Sequence, residues 1–121
     1  MTVAIFEKEI QKEVIKELKK YRALRVRMIN KKEIEQIGCN ELFNCLHKDE
    51  VERNEIKYWQ IERALKVVLD EKEREIIERK YLQPSIPKDS TVYEDMGLKR
   101  DPYYVYKKQA IEQIAISLGI A

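Results

Sequence analysis

Between Leu98 and Lys108 the chain carries Lys99, Arg100, Lys107 and Lys108 against one acid, Asp101, with Tyr103 and Tyr104 set among them. Lysine and arginine neutralise phosphates, and a tyrosine hydroxyl can bond a phosphate while its ring lies against a sugar or a thymine methyl group. The chemistry open to this stretch is therefore recognition of a polyanion. Covalent chemistry has no comparable set of residues. His47 is the only histidine, there is no glycine-rich phosphate loop, and no pair of acids stands apart from compensating bases. A nucleophile and a general base are both missing, so an enzyme is not expected.

Cys39, Cys45 and His47 are the one group of soft metal ligands. Structural zinc needs four ligands, and its cysteine pairs are usually separated by about two to four residues. Here five residues intervene and no fourth ligand is near. We therefore expect no metal and no other cofactor, with both thiols acting as ordinary small residues and His47 as a surface side chain.

The 121 residues are one domain's worth of material, 44% hydrophobic and 38% charged, with only three Gly and three Pro. So few turn formers among many Glu, Lys, Ile and Leu predict an all-α chain. The net charge of +2 is unevenly spread. Residues 1–38 hold ten bases and six acids, residues 39–96 ten and fourteen, and residues 97–121 four and two. The middle is acidic and both ends are basic. No span approaches the roughly 20 apolar residues of a membrane crossing. An early Glu7 argues against a secretory leader, and two cysteines are few for a secreted scaffold, so a reducing cytoplasm is the expected compartment.

These residues need helices to position them. Val3, Phe6, Ile10, Val14, Leu18, Tyr21, Leu24 and Met28 recur every three or four positions, predicting a first helix of about 25 residues, near 38 Å long. It is expected either to pair with another chain as a dimerisation arm or to pack on its own core. Residues 30–49 read as a connector. The expected division is an arm and connector over 1–49 and a helix-turn-helix domain over 50–121. On that division a chain starting near Lys48 would keep its fold.

A second helix is expected from Asn54 to Leu69, with Tyr58, Ile61, Leu65 and Val68 on one stripe and Trp59 as a core anchor. Asp70 and Glu73 have the spacing of a capping box opening a third helix over 71–82, which Pro84 and Pro87 end. Thr91 and Glu94 repeat that spacing, as a second capping box or as the early first turn of a short helix. Gly97 is placed to stop it in the left-handed conformation, with Leu98 plugging the corner. Lys99 or Asp101 then opens a longer helix in which Pro102 is tolerated in the first turn. Its buried stripe is Tyr103, Ala110, Ile114 and Leu118. The core is expected to join Trp59, Leu65, Ile76, Ile77, Tyr81, Met96, Ala110 and Ile114.

A short helix, a glycine corner and a longer helix with a basic aromatic start is the order of a helix-turn-helix, whose second helix fits the major groove, about 12 Å wide. On this reading the residues facing duplex DNA are Lys99, Arg100, Asp101, Val105 and Lys108, with Tyr104 and Lys107 flanking them. The alternative is a hairpin that merely packs, with the tyrosines in a core.

The run LDEKEREIIERKYL at 69–82 resembles the helix that opens promoter-reading region 4 of sigma factors. Followed by VYEDMGLKRDPYYVYKKQAIEQIAISLGI at 92–120, it is similar to the ArpU family of phage and prophage transcriptional regulators, and LKKYRALRV at 18–26 fits that family's charged N-terminal helix. The resemblance implies a sigma-region-4-like helix-turn-helix that binds promoter DNA and regulates late phage genes in a bacterial host. Two residues depart from the usual pattern. Tyr93 stands where such units prefer Ala, implying a wider crossing of the two helices, and Asp101 with Pro102 stands where small polar residues are common. RNA polymerase is a further expected partner, and a homodimer through the first helix is another. The rival readings are a phage packaging protein of small-terminase type and a helical adaptor acting on RNA polymerase.

Overall fold

The computed structural model describes residues 3–38 and 42–121, with side chains from Glu7 onward in the first stretch. The described residues are helical throughout, joined by turns and loops. The elements are α1 (Val3–Ile37), α2 (Lys48–Arg63) running into a π turn (Ala64–Val68), α3 (Glu71–Tyr81), α4 (Asp89–Asp95) and α5 (Arg100–Leu118). The all-α fold is as the composition predicts, and the long first helix as the apolar spacing predicts.

At 35 residues α1 is about 52 Å long and exceeds the expected length. It runs on through residues 30–37, where the apolar spacing breaks but Glu, Lys and Gln still favour helix. Gly38, at φ 79°, then ends it. The stripe Val14, Leu18 and Tyr21 is fully buried in one cluster with Ile61, Leu65, Leu69, Ile77, Tyr81, Ala110, Ile111 and Ile114. The first helix therefore packs on the core and is not a free arm. A boundary at residue 49 would cut through apolar contacts shared by α1, α2, α3 and α5.

Polar contacts hold α1 in register. Tyr21 stacks on Tyr58 with ring centroids 5.5 Å apart and donates its hydroxyl to Glu62 on α2. Arg25 lies 4.8 Å over the Tyr21 ring and donates Nη1 to Glu78 Oε2 of α3 at 3.0 Å. On either side of Met28, α1 is held by α2, through Arg27 to Glu55 at 3.5 Å and Lys31 to Glu55 at 2.9 Å.

Helix α2 starts six residues earlier than its apolar stripe suggests, because Asp49 and Glu50 suit the positive end of a helix dipole. Its C-terminal π turn leaves carbonyls that need donors. Arg74 supplies them, with Nε to the oxygen of Leu65 at 2.7 Å and Nη2 to those of Lys66 at 3.0 Å and Leu69 at 3.1 Å. Trp59 is not the expected core anchor: it is 49% exposed, with an edge against Tyr58. Val68 is likewise largely exposed.

The capping box opening α3 is present. The Glu73 amide donates to Asp70 Oδ1 at 2.8 Å, and the Asp70 amide donates to Glu73 Oε1 at 2.9 Å. The second Glu73 oxygen accepts from Gln113 Nε2 at 2.9 Å, so this buried carboxylate also ties α3 to α5. A smaller apolar cluster of Ile76, Val92 and Tyr103, flanked by Tyr93, Met96, Leu98 and Tyr106, joins α3, α4 and the start of α5. Met96 is thus a flank of that cluster, not a fully buried core residue.

Candidate nucleic-acid interface

Helices α4 and α5 are joined by four residues, Met96 to Lys99. Gly97 takes φ 68°, a backbone that favours glycine, and two hydrogen bonds close the turn: Gly97 N–H to Glu94 O at 3.1 Å and Leu98 N–H to Tyr93 O at 2.8 Å. That pair is the Schellman pattern, and Leu98 and Tyr93 pack beside the same small core. Gly97 and Leu98 therefore play the parts their sequence suggests. Thr91 and Glu94 do not form a cap. Helix α4 begins at Asp89, three residues before the start that an N-cap at Thr91 would give, with Lys88 as N-cap and no side-chain cap, so Thr91 lies in the first turn.

Lys99 is the N-cap of α5, so Arg100, Asp101 and Pro102 fill its first turn. Pro102 is harmless there because first-turn amides lack intrahelical acceptors. Exposure then sorts the candidate residues. Arg100 is 72% exposed, Asp101 90% and Lys108 63%, and Lys99, Tyr104 and Val105 are exposed as well. These six share the outward face of the first turns of α5. Asp101 lies 3.6 Å from Arg100, and as a first-turn acid it complements the helix dipole.

Lys107 departs from the expected set. Its side chain is 11% exposed, and its Nζ donates to Asp89 Oδ1 at 3.0 Å. Spacing explains this: Tyr103, Lys107, Ala110 and Ile114 follow one another at three or four residues on the buried stripe, so Lys107 faces inward. It is a structural cation and not part of the outward face.

Sequence reasoning missed Asp89 altogether. Its Oδ1 accepts from the Tyr103 hydroxyl at 2.6 Å and from Lys107, its Oδ2 lies 3.4 Å from the Tyr104 hydroxyl, and Lys80 Nζ of α3 is 3.6 Å away. Lys80 also donates to the Pro87 carbonyl at 2.6 Å. Burial alone would raise the Asp89 carboxyl. Hydrogen bonds from Tyr103 and Lys107, with the charges of Lys107 and Lys80, outweigh it and hold the group below the usual carboxylate range. Burial, then the bond to Asp89, push the Tyr103 phenol well above its ordinary value, so it stays a donor. The only signal in the sequence was the cluster of lysines and tyrosines, and no local periodicity links residue 89 to residues 80 and 107.

The tyrosines tile the start of α5. Tyr93 lies 5.5 Å from Tyr103, and Tyr103 meets Tyr104 edge-on at 5.3 Å. Arg100 sits 5.6 Å over the Tyr104 ring. Tyr103 is therefore the core-facing member of the pair, and Tyr104 the outward one.

Among the described residues no three His, Cys, Asp or Glu side chains are grouped to hold a metal. Cys45 is a half-buried free thiol, and the Cys39 part of the cysteine expectation lies outside the described residues. No described helix is long and apolar enough to cross a membrane.

The architecture is thus an all-helical chain ending in two helices joined by a tight turn, the second with an exposed basic start. Comparison with protein-family models, curated proteins and solved structures gave no match.

Proposed function

We propose that this chain binds duplex DNA as a transcriptional regulator, with the first turns of α5 entering the major groove. The observation that carries the reading is the division of α5 into two faces. Tyr103, Lys107, Ala110 and Ile114 anchor one face, while Lys99, Arg100, Tyr104, Val105 and Lys108 stand exposed on the other. Lys99 and Arg100 lie at the positive end of the helix dipole, where phosphates are favoured. In such a complex Val105 would meet a thymine methyl group and Asp101 would accept from a cytosine amino group. The resemblance to the ArpU regulators narrows the proposal to promoters of phage or prophage late genes, in a bacterial cytoplasm.

The test is a gel-shift titration with DNA from upstream of the protein's own operon, run at several salt concentrations beside a scrambled duplex. Arg100→Ala and Lys108→Ala should each weaken binding without lowering the melting temperature. A lost phosphate contact reduces the salt slope by about one unit, and a lost base contact costs roughly 1–3 kcal/mol on the specific duplex alone. If both variants bind as wild type at every salt, α5 does not read DNA.

We also propose a homodimer, with its contact on the distal half of α1. The proximal stripe is already consumed by the core, whereas Val26, Ile29 and Ile37 share a second, exposed face. Two linked reading helices would raise the effective concentration of the second contact.

A further inference from the structure

A groove contact made by α5 alone does not use the basic N-terminal segment. At about 100° per residue, Lys8, Lys12, Lys16, Lys19 and Arg22 fall within roughly a 120° arc of α1. The acids of this stretch, Glu7, Glu9, Glu13 and Glu17, all fall outside that arc. The four lysines are exposed, and among the described residues Lys8, Lys12 and Lys19 have no acidic partner. Lys16 has only an exposed contact to Glu13 at 3.6 Å, which is worth little in water. The arc is about 21 Å long, close to six base-pair steps of duplex.

Its place in the fold ties it to α5. Glu7, beside Lys8, lies 3.8 Å from Lys108 on the outward face of α5. Glu7 and Gln11 line one cleft with Tyr104 and Lys108. At the other end Arg22 donates to the carbonyl of Gln83, in the loop between α3 and α4, at 2.6 Å. The basic arc thus adjoins α5 at one end and the loop ahead of α4 at the other.

We infer that this face of α1 is a second DNA-binding surface, holding the phosphate backbone beside the groove that α5 enters. Five cations in a row with no interleaved acid fit a regularly spaced polyanion, and Lys8, Lys12 and Lys16 stand about 6 Å apart along the axis. Such contacts carry no sequence information; they raise affinity for any duplex and set its orientation. The inference rests on the reading of α5 as the groove helix.

The experiment compares the full-length chain with the triple variant Lys8→Gln, Lys12→Gln, Lys19→Gln and with Arg100→Ala, on specific and scrambled duplexes of about 30 base pairs between 50 and 200 mM salt. The triple variant should melt as wild type yet show a salt slope lower by about 2.7 units per protomer on both duplexes. Across that salt range wild type then loses about 40-fold more affinity than the variant does. A wild-type slope in the triple variant, with Arg100→Ala still weakened, overturns the α1 surface and leaves the α5 reading standing. If instead the triple variant loses its slope while Arg100→Ala and Lys108→Ala bind as wild type, the reading of α5 falls and the α1 face binds DNA by itself.

Discussion

Lys107 Nζ lies 3.0 Å from Asp89 Oδ1, an ion pair between α5 and the first residue of α4 with both side chains largely out of water. Lys80 shares the same oxygen at 3.6 Å, so one carboxylate offsets two ammonium groups. Asp89→Asn leaves both cations without a countercharge and weakens the acceptor for Tyr103. We expect a loss of about 2 kcal/mol, discounted from the 3–5 typical of a fully buried pair. Hydrogen exchange should rise first at the amides of Tyr103 to Lys108, and Asp89→Glu should recover part of the loss. Unchanged melting and exchange in Asp89→Asn would show that the pair does not position α5.

The same carboxylate sets an acid limit. Its folded-state pKa is lowered, so its contribution is present above the unfolded value near 4 and is lost as pH falls through the folded one. Tyr81 sets an alkaline limit in the opposite sense: burial and the nearby Asp89 push its phenol up to about 12. The stability it contributes is present below about pH 10 and lost as pH rises through 12. Denaturant melts from pH 3 to 12 should show both limbs, and Tyr81→Phe should make the alkaline one shallower without abolishing it, because the Tyr21 and Tyr103 phenols are raised as well.

How legible the core was in the sequence can be judged by two residues. Ile77 sits on a periodic stripe and is fully buried, whereas Trp59, the core anchor expected at the edge of its stripe, is half exposed. Ile77→Asp puts an unpaired charge in the core and should cost upward of about 4 kcal/mol, abolishing cooperative unfolding. Trp59→Ala should cost far less, about 1 kcal/mol. Chemical denaturation of both variants tests the ranking, and the reverse order would refute it.

Legibility follows the range of the interaction. The Asp70–Glu73 capping box, the Gly97 corner and the Tyr103–Ala110–Ile114 stripe are set by neighbours within a few residues, and each is where the spacing puts it. Lys107 falls on that same stripe by its spacing, and what the sequence does not show is the countercharge 18 residues away at Asp89 that lets a cation sit there. The role of α1 was equally hidden. Its stripe is clear in the sequence, yet an amphipathic helix looks the same whether its apolar face meets its own core or a second chain.

That ambiguity resolves into a prediction about truncation. A chain starting at Lys48 would lose Val14, Leu18 and Tyr21 and expose Ile61, Leu65, Ile111 and Ile114 to water. It should therefore lose cooperative melting and fixed tertiary structure, against the simpler expectation that residues from 48 onward fold alone. Circular dichroism in the near and far ultraviolet decides between them.

The distal half of α1 allows a separate test of self-association that leaves the core alone. Val26 is 55% exposed, Ile29 59% and Ile37 77%, and they lie within about 80° of one another on the helix. Glu placed at Ile29 and Ile37 faces water in a monomer and costs little there, because Glu is a good helix former. In a dimer closed through this face the same carboxylates would be buried against apolar residues of the second copy, at several kcal/mol each. Ile29→Glu with Ile37→Glu should thus keep the wild-type melting curve at low concentration while shifting sedimentation at micromolar concentration from dimer to monomer. Its DNA affinity should fall without a change in salt slope per protomer, since no phosphate contact is removed. Should wild type itself sediment as a monomer at micromolar concentration, the dimer is ruled out and one copy must read its site alone.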